Sequence, residues 1–119
     1  MTALPSFILL TAAVVVGVLL GLDYLRGERS SAGMIGAHLL LGAGALETTA
    51  MLMRGTPDGT VVSAGSLGSV TAGLLALAMC SGLIAPMIGR RSVRTMNVAL
   101  VTHVSFAAGG FLLFLGWVL

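Results

Sequence analysis

The stretch LPSFILLTAAVVVGVLLGL, from Leu4 to Leu22, contains nineteen residues and no charge. About 20 residues of α-helix span the hydrocarbon core of a bilayer. Three further segments have the same apolar character, at about 33–53, 66–88 and 96–119. Because backbone groups in lipid must find hydrogen-bond partners within their own segment, each segment is predicted to be a helix. The opening stretch is therefore predicted to be the first of four transmembrane helices.

The composition of the whole chain supports this fold class. Charged residues make up 8% of the 119 residues, whereas a soluble domain contains about 25%. The sequence thus predicts an all-α membrane protein, a single four-helix bundle over residues 1–119 in a lipid bilayer. The scattered net charge of +2 argues against nucleic-acid binding. No hydrolase or transferase motif is present, so any enzymatic role is limited to that of a redox subunit.

The arginines predict how the bundle is oriented. The connections at 23–32 and 89–95 contain five of the six arginines, and Arg54 in the second connection is the sixth. By the positive-inside rule, the first and third connections are cytoplasmic and both termini lie outside. The expected location is the cell membrane, as a multi-pass protein of the bacterial inner membrane.

Two stretches indicate that one helical hairpin is used twice. HLLLGAGAL at 38–46 aligns with HVSFAAGGF at 103–111, and TAAVVVGVLLGL at 11–22 loosely resembles TAGLLALAMCSGL at 71–83. The stretches at 38–46 and 103–111 share a histidine, small residues and a bulky final residue. Low-complexity apolar segments also match one another by chance, so duplication and coincidence both stay open.

His38 and His103 lie at similar depths on helices that run in the same direction. At 1.5 Å per residue their depths differ by only about 4–5 Å. If the second and fourth helices are neighbours, the two imidazoles can face each other in the cytoplasmic half of the membrane.

Small residues follow each histidine on the same helix face, at the fourth and seventh positions after it. They are Gly42 and Ala45 in the second helix and Ala107 and Gly110 in the fourth. A flat ligand between two such faces, with an axial histidine on either side, is typical of b-type haem. Arg94 and its neighbouring arginines lie at the same end and could pair with haem propionates. The alternative interpretation is that small residues only allow close helix packing.

The histidine pair in a four-helix membrane protein resembles the arrangement in membrane cytochromes b and in the membrane anchors of respiratory dehydrogenases. No family-defining motif accompanies the pair. The resemblance implies a respiratory accessory subunit that binds one haem b and exchanges electrons, with quinone as a possible partner. A further interpretation adds Cys80 to the histidines as a zinc or copper site, although a free cysteine more often packs as a small hydrophobe.

Glu47 is a separate candidate site. It lies about 180° around the helix from His38 and roughly 13 Å further along the axis. As a proton or ion site it predicts a small transporter or channel subunit, with Arg54, Ser66, Ser69 or Thr71 as partners of the carboxyl. The alternatives are a carboxyl that only fixes helix packing, or a structural subunit within a homo-oligomer or larger membrane complex.

Overall fold

The computed structural model describes residues 3–54 and 65–119, and four helices account for nearly all of them. The helices are α1 (Leu4–Arg26), α2 (Ala32–Arg54), α3 (Gly65–Gly89) and α4 (Val93–Val118). Each is long and apolar enough to cross a membrane. The prediction of an all-α protein with four membrane-spanning helices is therefore confirmed. The second connection lies outside the described residues.

The helices are longer at the arginine-rich end than the sequence predicted. α1 continues four residues past Leu22 to Arg26 and is capped by Gly27, whose φ of 72° is the left-handed conformation that glycine adopts most easily. The Gly27 N–H donates to the Tyr24 carbonyl at 3.1 Å, and the Glu28 N–H donates to the Asp23 carbonyl at 2.9 Å. These bonds satisfy carbonyl groups that a helix end leaves open.

Serine hydroxyls mark the start of α2 and of α4. The Ser31 hydroxyl accepts from the Met34 N–H at 3.1 Å, and the Ser92 hydroxyl accepts from the Thr95 N–H at 3.4 Å. Both are N-cap bonds, which fix where a helix begins. The connection predicted at 89–95 is therefore shorter, and Arg94 lies in the first turn of α4.

Helix packing follows the order of the chain. The most extensive packing is between α3 and α4 and between α1 and α2, and a smaller interface joins α2 to α3. Short connections favour antiparallel neighbours in this way. α1 and α4 are linked at the arginine-rich end by a hydrogen bond from the Tyr24 hydroxyl to the Asn97 side-chain oxygen.

The core occupies the half of the bundle that contains both termini. Leu10, Ala45, Leu52, Leu75 and Phe114 form one buried cluster. A Cβ atom at Gly110 would lie 2.8 Å from Leu75 Cδ2, so that leucine fills the space beside the glycine. Large side chains thus pack onto small ones across the helix interfaces.

Large apolar side chains also cover the outside of the bundle. The exposed fractions of Leu40, Met87 and Val101 are 74%, 72% and 67%. Such a surface is unfavourable in water and favourable against lipid tails. The exposed side chains therefore indicate a lipid bilayer environment for a multi-pass protein.

Candidate functional site

His38 on α2 and His103 on α4 meet inside the bundle. Their ring centroids are 5.9 Å apart and the ring planes are inclined at 80°. Both rings are half-buried. They meet even though α2 and α4 are not among the extensively packed pairs of helices. The two imidazoles reach each other across the interior of the bundle.

Each imidazole is anchored to the helix that precedes its own in the chain. His38 Nδ1 lies 3.0 Å from the Ala13 carbonyl oxygen of α1, and His103 Nδ1 lies 2.7 Å from the Ala78 carbonyl oxygen of α3. A carbonyl oxygen only accepts, so each Nδ1 must carry the hydrogen. The neutral ring then has its lone pair on Nε2, which leaves that nitrogen able to bind a metal ion.

Two glycines make this anchoring possible. A Cβ atom at Gly17 would lie 2.9 Å from His38 Cε1, and one at Gly82 would lie 2.7 Å from His103 Nδ1. Ordinary carbon contacts are about 3.5–4.0 Å, so any larger residue would push the ring away. Each imidazole therefore packs directly against a glycine of the neighbouring helix.

The same set of contacts occurs twice at a constant offset. Ala13, Gly17 and His38 correspond to residues exactly 65 positions later, which are Ala78, Gly82 and His103. The two histidine stretches aligned in the sequence have this offset as well. The stretches 11–22 and 71–83, which the sequence aligns at their first threonines, are offset by 60 positions instead. The histidine contacts follow the offset of 65 and not that of 60. Residues of the two hairpins thus correspond by their position on the helix face, and not by sequence identity.

The separation of the rings is close to what a shared metal ion requires. A ring nitrogen lies about 2 Å from a bound transition metal and about 1 Å from its own ring centre, so two opposed imidazoles have centroids about 6 Å apart. The observed 5.9 Å agrees with this value. The spacing of the rings and their anchored Nδ1 atoms are therefore compatible with two imidazoles that share one metal ion.

The small residues predicted to flank a flat ligand divide into two groups. Ala45 is fully buried in the core cluster, and Gly110 is covered by Leu75. Both lie about 10 Å along the helix from their histidine. Gly42 has no neighbour within 4 Å of its Cβ position, and Ala107 is half-buried. Of the four small residues, Gly42 and Ala107 are therefore those left free of the core next to the histidines, whereas Ala45 and Gly110 belong to the core packing.

Arg94 is exposed near the arginine-rich end of α4. It precedes His103 by nine residues, which places it about 13 Å along the axis and half a turn around the helix. Arg90 and Arg91 are exposed in the adjacent connection. The positive charge is therefore at the membrane surface, and Arg94 leaves α4 on the side opposite His103.

Glu47 is exposed on the outer surface of α2, away from the histidines. Within residues 3–54 and 65–119 no hydrogen bond or ion pair reaches its carboxyl group. The Thr71 hydroxyl, one of the expected partners, is buried with no hydrogen-bond partner and so does not pair with Glu47. Of the other expected partners, Arg54 is exposed, Ser69 makes an interaction of its own, and the side chain of Ser66 lies outside the described residues.

Cys80 is exposed and does not join the histidine pair. It lies between Ala78 and Gly82, two residues from each, so it leaves α3 on a different side from the residues that contact His103. In the part of the chain that the structure describes, no group of three or more His, Cys, Asp or Glu side chains could hold a metal ion. The predicted three-residue zinc or copper site is not formed there.

Comparisons of this chain with protein-family models, with curated proteins and with solved structures found no match. Its function is therefore argued from its own residues.

Sequence analysis alone missed the four residues that hold the imidazoles. Neither Gly17 nor Gly82 stands out in the sequence, because glycine occurs throughout the apolar segments. One signal could have found them, because both glycines precede a histidine by the same 21 positions.

Proposed function

We propose that this protein binds one b-type haem between His38 and His103 and serves as a small electron-transfer subunit in a membrane. One observation carries the proposal. Both imidazoles donate from Nδ1 to a backbone carbonyl, which leaves an Nε2 lone pair on each of two rings whose centroids are 5.9 Å apart. Metal-binding histidines are almost always oriented in this way by a partner on the second nitrogen.

The residues around the pair have distinct parts in this function. The carbonyl groups of Ala13 and Ala78 fix the tautomer and the ring orientation, and they make each imidazole a stronger ligand. Gly17 and Gly82 let the rings approach the neighbouring helices. A bound haem would supply reversible one-electron chemistry. The protein holds the two ligands in place, so that little reorganisation accompanies a change in charge.

The site is closed toward the chain termini and lies nearer the arginine-rich end. Leu10 and Leu75 fill the core on the terminal side of the histidines. Electron exchange would therefore take place through the opposite end, where the exposed arginines favour a negatively charged partner or the propionates. Quinone is a candidate redox partner on that side.

The orientation and the duplicated hairpin belong to the same proposal. Five of six arginines support cytoplasmic connections after α1 and after α3, with both termini outside, as expected in a bacterial inner membrane. The 65-residue offset supports two hairpins, α1–α2 and α3–α4, that contribute one histidine each. A ligand shared by the two halves would then lie where the hairpins meet.

The visible absorption spectrum tests this function directly. The protein is purified in mild detergent from a host supplied with haem, and oxidised and reduced spectra are recorded. A Soret band that disappears in His38→Ala and in His103→Ala, but persists in Cys80→Ser, is the expected result. A colourless wild-type protein under full haem supply would refute the proposal.

A second candidate function rests on the position of Glu47. A carboxyl that faces lipid costs about 2.5–3.5 kcal/mol on insertion scales at mid-membrane, so an exposed Glu47 favours a partner from another chain. This fits a homo-oligomer, a subunit of a larger membrane complex, or a small transporter or channel that uses Glu47 as its proton site. Glu47→Gln should abolish proton-coupled flux in liposomes, and unchanged flux would exclude that role.

A further inference from the structure

A fully buried layer that contains three hydroxyl groups crosses the bundle in the half that contains the termini. Its members are one residue from each helix, Ser6, Thr49, Thr71 and Phe114, and each is 0% exposed. Ser6 and Thr71 are related by the same 65-residue offset as the histidines, and so are Thr49 and Phe114. The layer is therefore polar on three sides and aromatic on the fourth.

Among the described residues, two of the three hydroxyls have no hydrogen-bond partner. Thr49 Oγ1 donates to the Ala45 carbonyl of its own helix at 2.7 Å. Ser6 Oγ and Thr71 Oγ1 are buried, and no described residue forms a hydrogen bond with either. A buried hydroxyl that forms no hydrogen bond is costly, and such groups in folded proteins usually bind an ordered water molecule.

The two unpartnered hydroxyls point into the same region. Leu10 and Leu75 lie one turn further along α1 and α3, on the same helix faces, and both belong to the core cluster that includes Phe114. Ser6 and Thr71 therefore lie on the faces that α1 and α3 direct into the core. Ser6 and Thr71 therefore bring buried hydroxyls to the core from two different helices and form a candidate polar site there.

We propose that this site binds water, held between Ser6 and Thr71. Thr49 adds a third contact, because its proton is committed to Ala45 and its oxygen can still accept. Three polar partners are typical of a buried water molecule. Phe114 forms the apolar side of the site.

This water site is independent of the histidine pair. Leu10, Leu75, Ala45 and Gly110 lie between the two and form an apolar barrier about one helical turn thick. Water at Ser6 and Thr71 thus neither contacts nor hydrates the imidazoles. The inference holds whether or not the protein binds haem.

Radiolytic hydroxyl-radical labelling in H₂¹⁸O detects the water, because it labels side chains next to bound water even where bulk solvent is excluded. The full chain in detergent is labelled, and modification of Phe114 is measured by mass spectrometry. We expect labelled Phe114 in the wild type and in the matched control Thr48→Val, whose hydroxyl bonds only to its own helix. In Thr71→Val the labelling should fall to background.

Stability gives a second measurement. If water is bound, Thr71→Val should lower the unfolding midpoint, because Ser6 and the water lose a partner. The proposal would be overturned if Phe114 were unlabelled and Thr71→Val were more stable than the wild type. That result is expected if the Thr71 hydroxyl is buried without water, because removal of an unpaired hydroxyl is stabilising. An unfolding midpoint that rises with NaCl but not with choline chloride would also overturn it, by showing a sodium ion in place of water.

Discussion

The sharpest test of the histidine site is to add one methyl group beneath each ring. In Gly17→Ala the new Cβ would lie 2.9 Å from His38 Cε1 and 3.4 Å from its Nδ1. To restore ordinary contact of about 3.5–4.0 Å, the ring must move by about 0.6–1 Å. A shift of that size away from α1 lengthens the 3.0 Å bond to Ala13 to about 3.6 Å or more, which is no longer a hydrogen bond.

The energetic terms of this substitution have opposite signs. Loss of the hydrogen bond costs about 0.5–1.5 kcal/mol, and overpacking costs about 1–3 kcal/mol. The higher helix propensity of alanine stabilises the variant by about 1 kcal/mol. We therefore expect a net loss of about 0.5–3.5 kcal/mol, since the two unfavourable terms together exceed the favourable one. Haem affinity should fall by about 10–100-fold, as is typical when a partner of a metal-binding histidine is lost.

Gly21→Ala is the matched control. Gly21 lies one turn further along α1 and has no neighbour within 4 Å of its Cβ position. Only the propensity term then applies, so this protein should be as stable as the wild type or more so, with an unchanged spectrum. Gly82→Ala and Gly73→Ala form the corresponding pair on α3.

Both properties can be measured on one purified sample. Unfolding in mixed micelles of increasing SDS content gives the stability, and titration of the apoprotein with haem gives the affinity. If Gly17→Ala and Gly21→Ala behave alike in both assays, the imidazole is not held against the glycine and the argument for the site fails.

The remaining predictions concern the core, the two ligands and the exposed carboxyl. Gly110→Ala should destabilise the bundle by about 1–3 kcal/mol, because its Cβ would lie 2.8 Å from Leu75 Cδ2. Unfolding in SDS measures this loss. Equal stability of Gly110→Ala and the wild type would contradict the packing described for Leu75. The double variant of His38 and His103 to alanine should lose no more haem affinity than either single variant, because one ligand without the other already breaks the site; additive losses in haem titration would show that the two act separately. Glu47→Gln should leave the unfolding of the isolated chain in detergent within about 0.5 kcal/mol, as expected for an exposed side chain, and a larger change would reveal a partner within the chain.

The link between Tyr24 and Asn97 bears on access to the site. It joins α1 to α4 at the arginine-rich end, where these helices share little other packing. Gly17 and His103 lie on the same two helices, about 9–10 Å deeper in the membrane. In the described residues, α1 and α4 are therefore packed less extensively than the helix pairs that follow one another in the chain.

The helices could be predicted from the sequence because their signal is local. A run such as Leu4–Leu22 needs no tertiary contact to be recognised as a membrane span, since lipid leaves its backbone no partner outside the helix. The caps at Gly27, Ser31 and Ser92 explain why the observed bounds extend beyond the apolar runs. Polar residues in the last turn of α1 continue the helix because the chain has already reached the membrane surface.

Half of the site could be predicted and half could not. His38 and His103 followed from helix direction and depth, both of which are counted along the chain. Their partners on α1 and α3 did not follow, because the rotation of one helix against another depends on how side chains interlock. The same reason explains why Ala45 and Gly110, expected beside a ligand, instead pack in the core.

What the sequence by itself determined is the number of helices, their spans and the matched depths of the two histidines. These depend on composition and on the 1.5 Å rise of the helix, which are properties of each segment alone. Only the tertiary structure decided that each imidazole packs against a glycine and donates to a carbonyl of the preceding helix, with the two ring centroids 5.9 Å apart. Because the helices contain many small residues, the sequence alone is compatible with several ways of packing them. The packing of Leu10 and Leu75 in the core selects one of these.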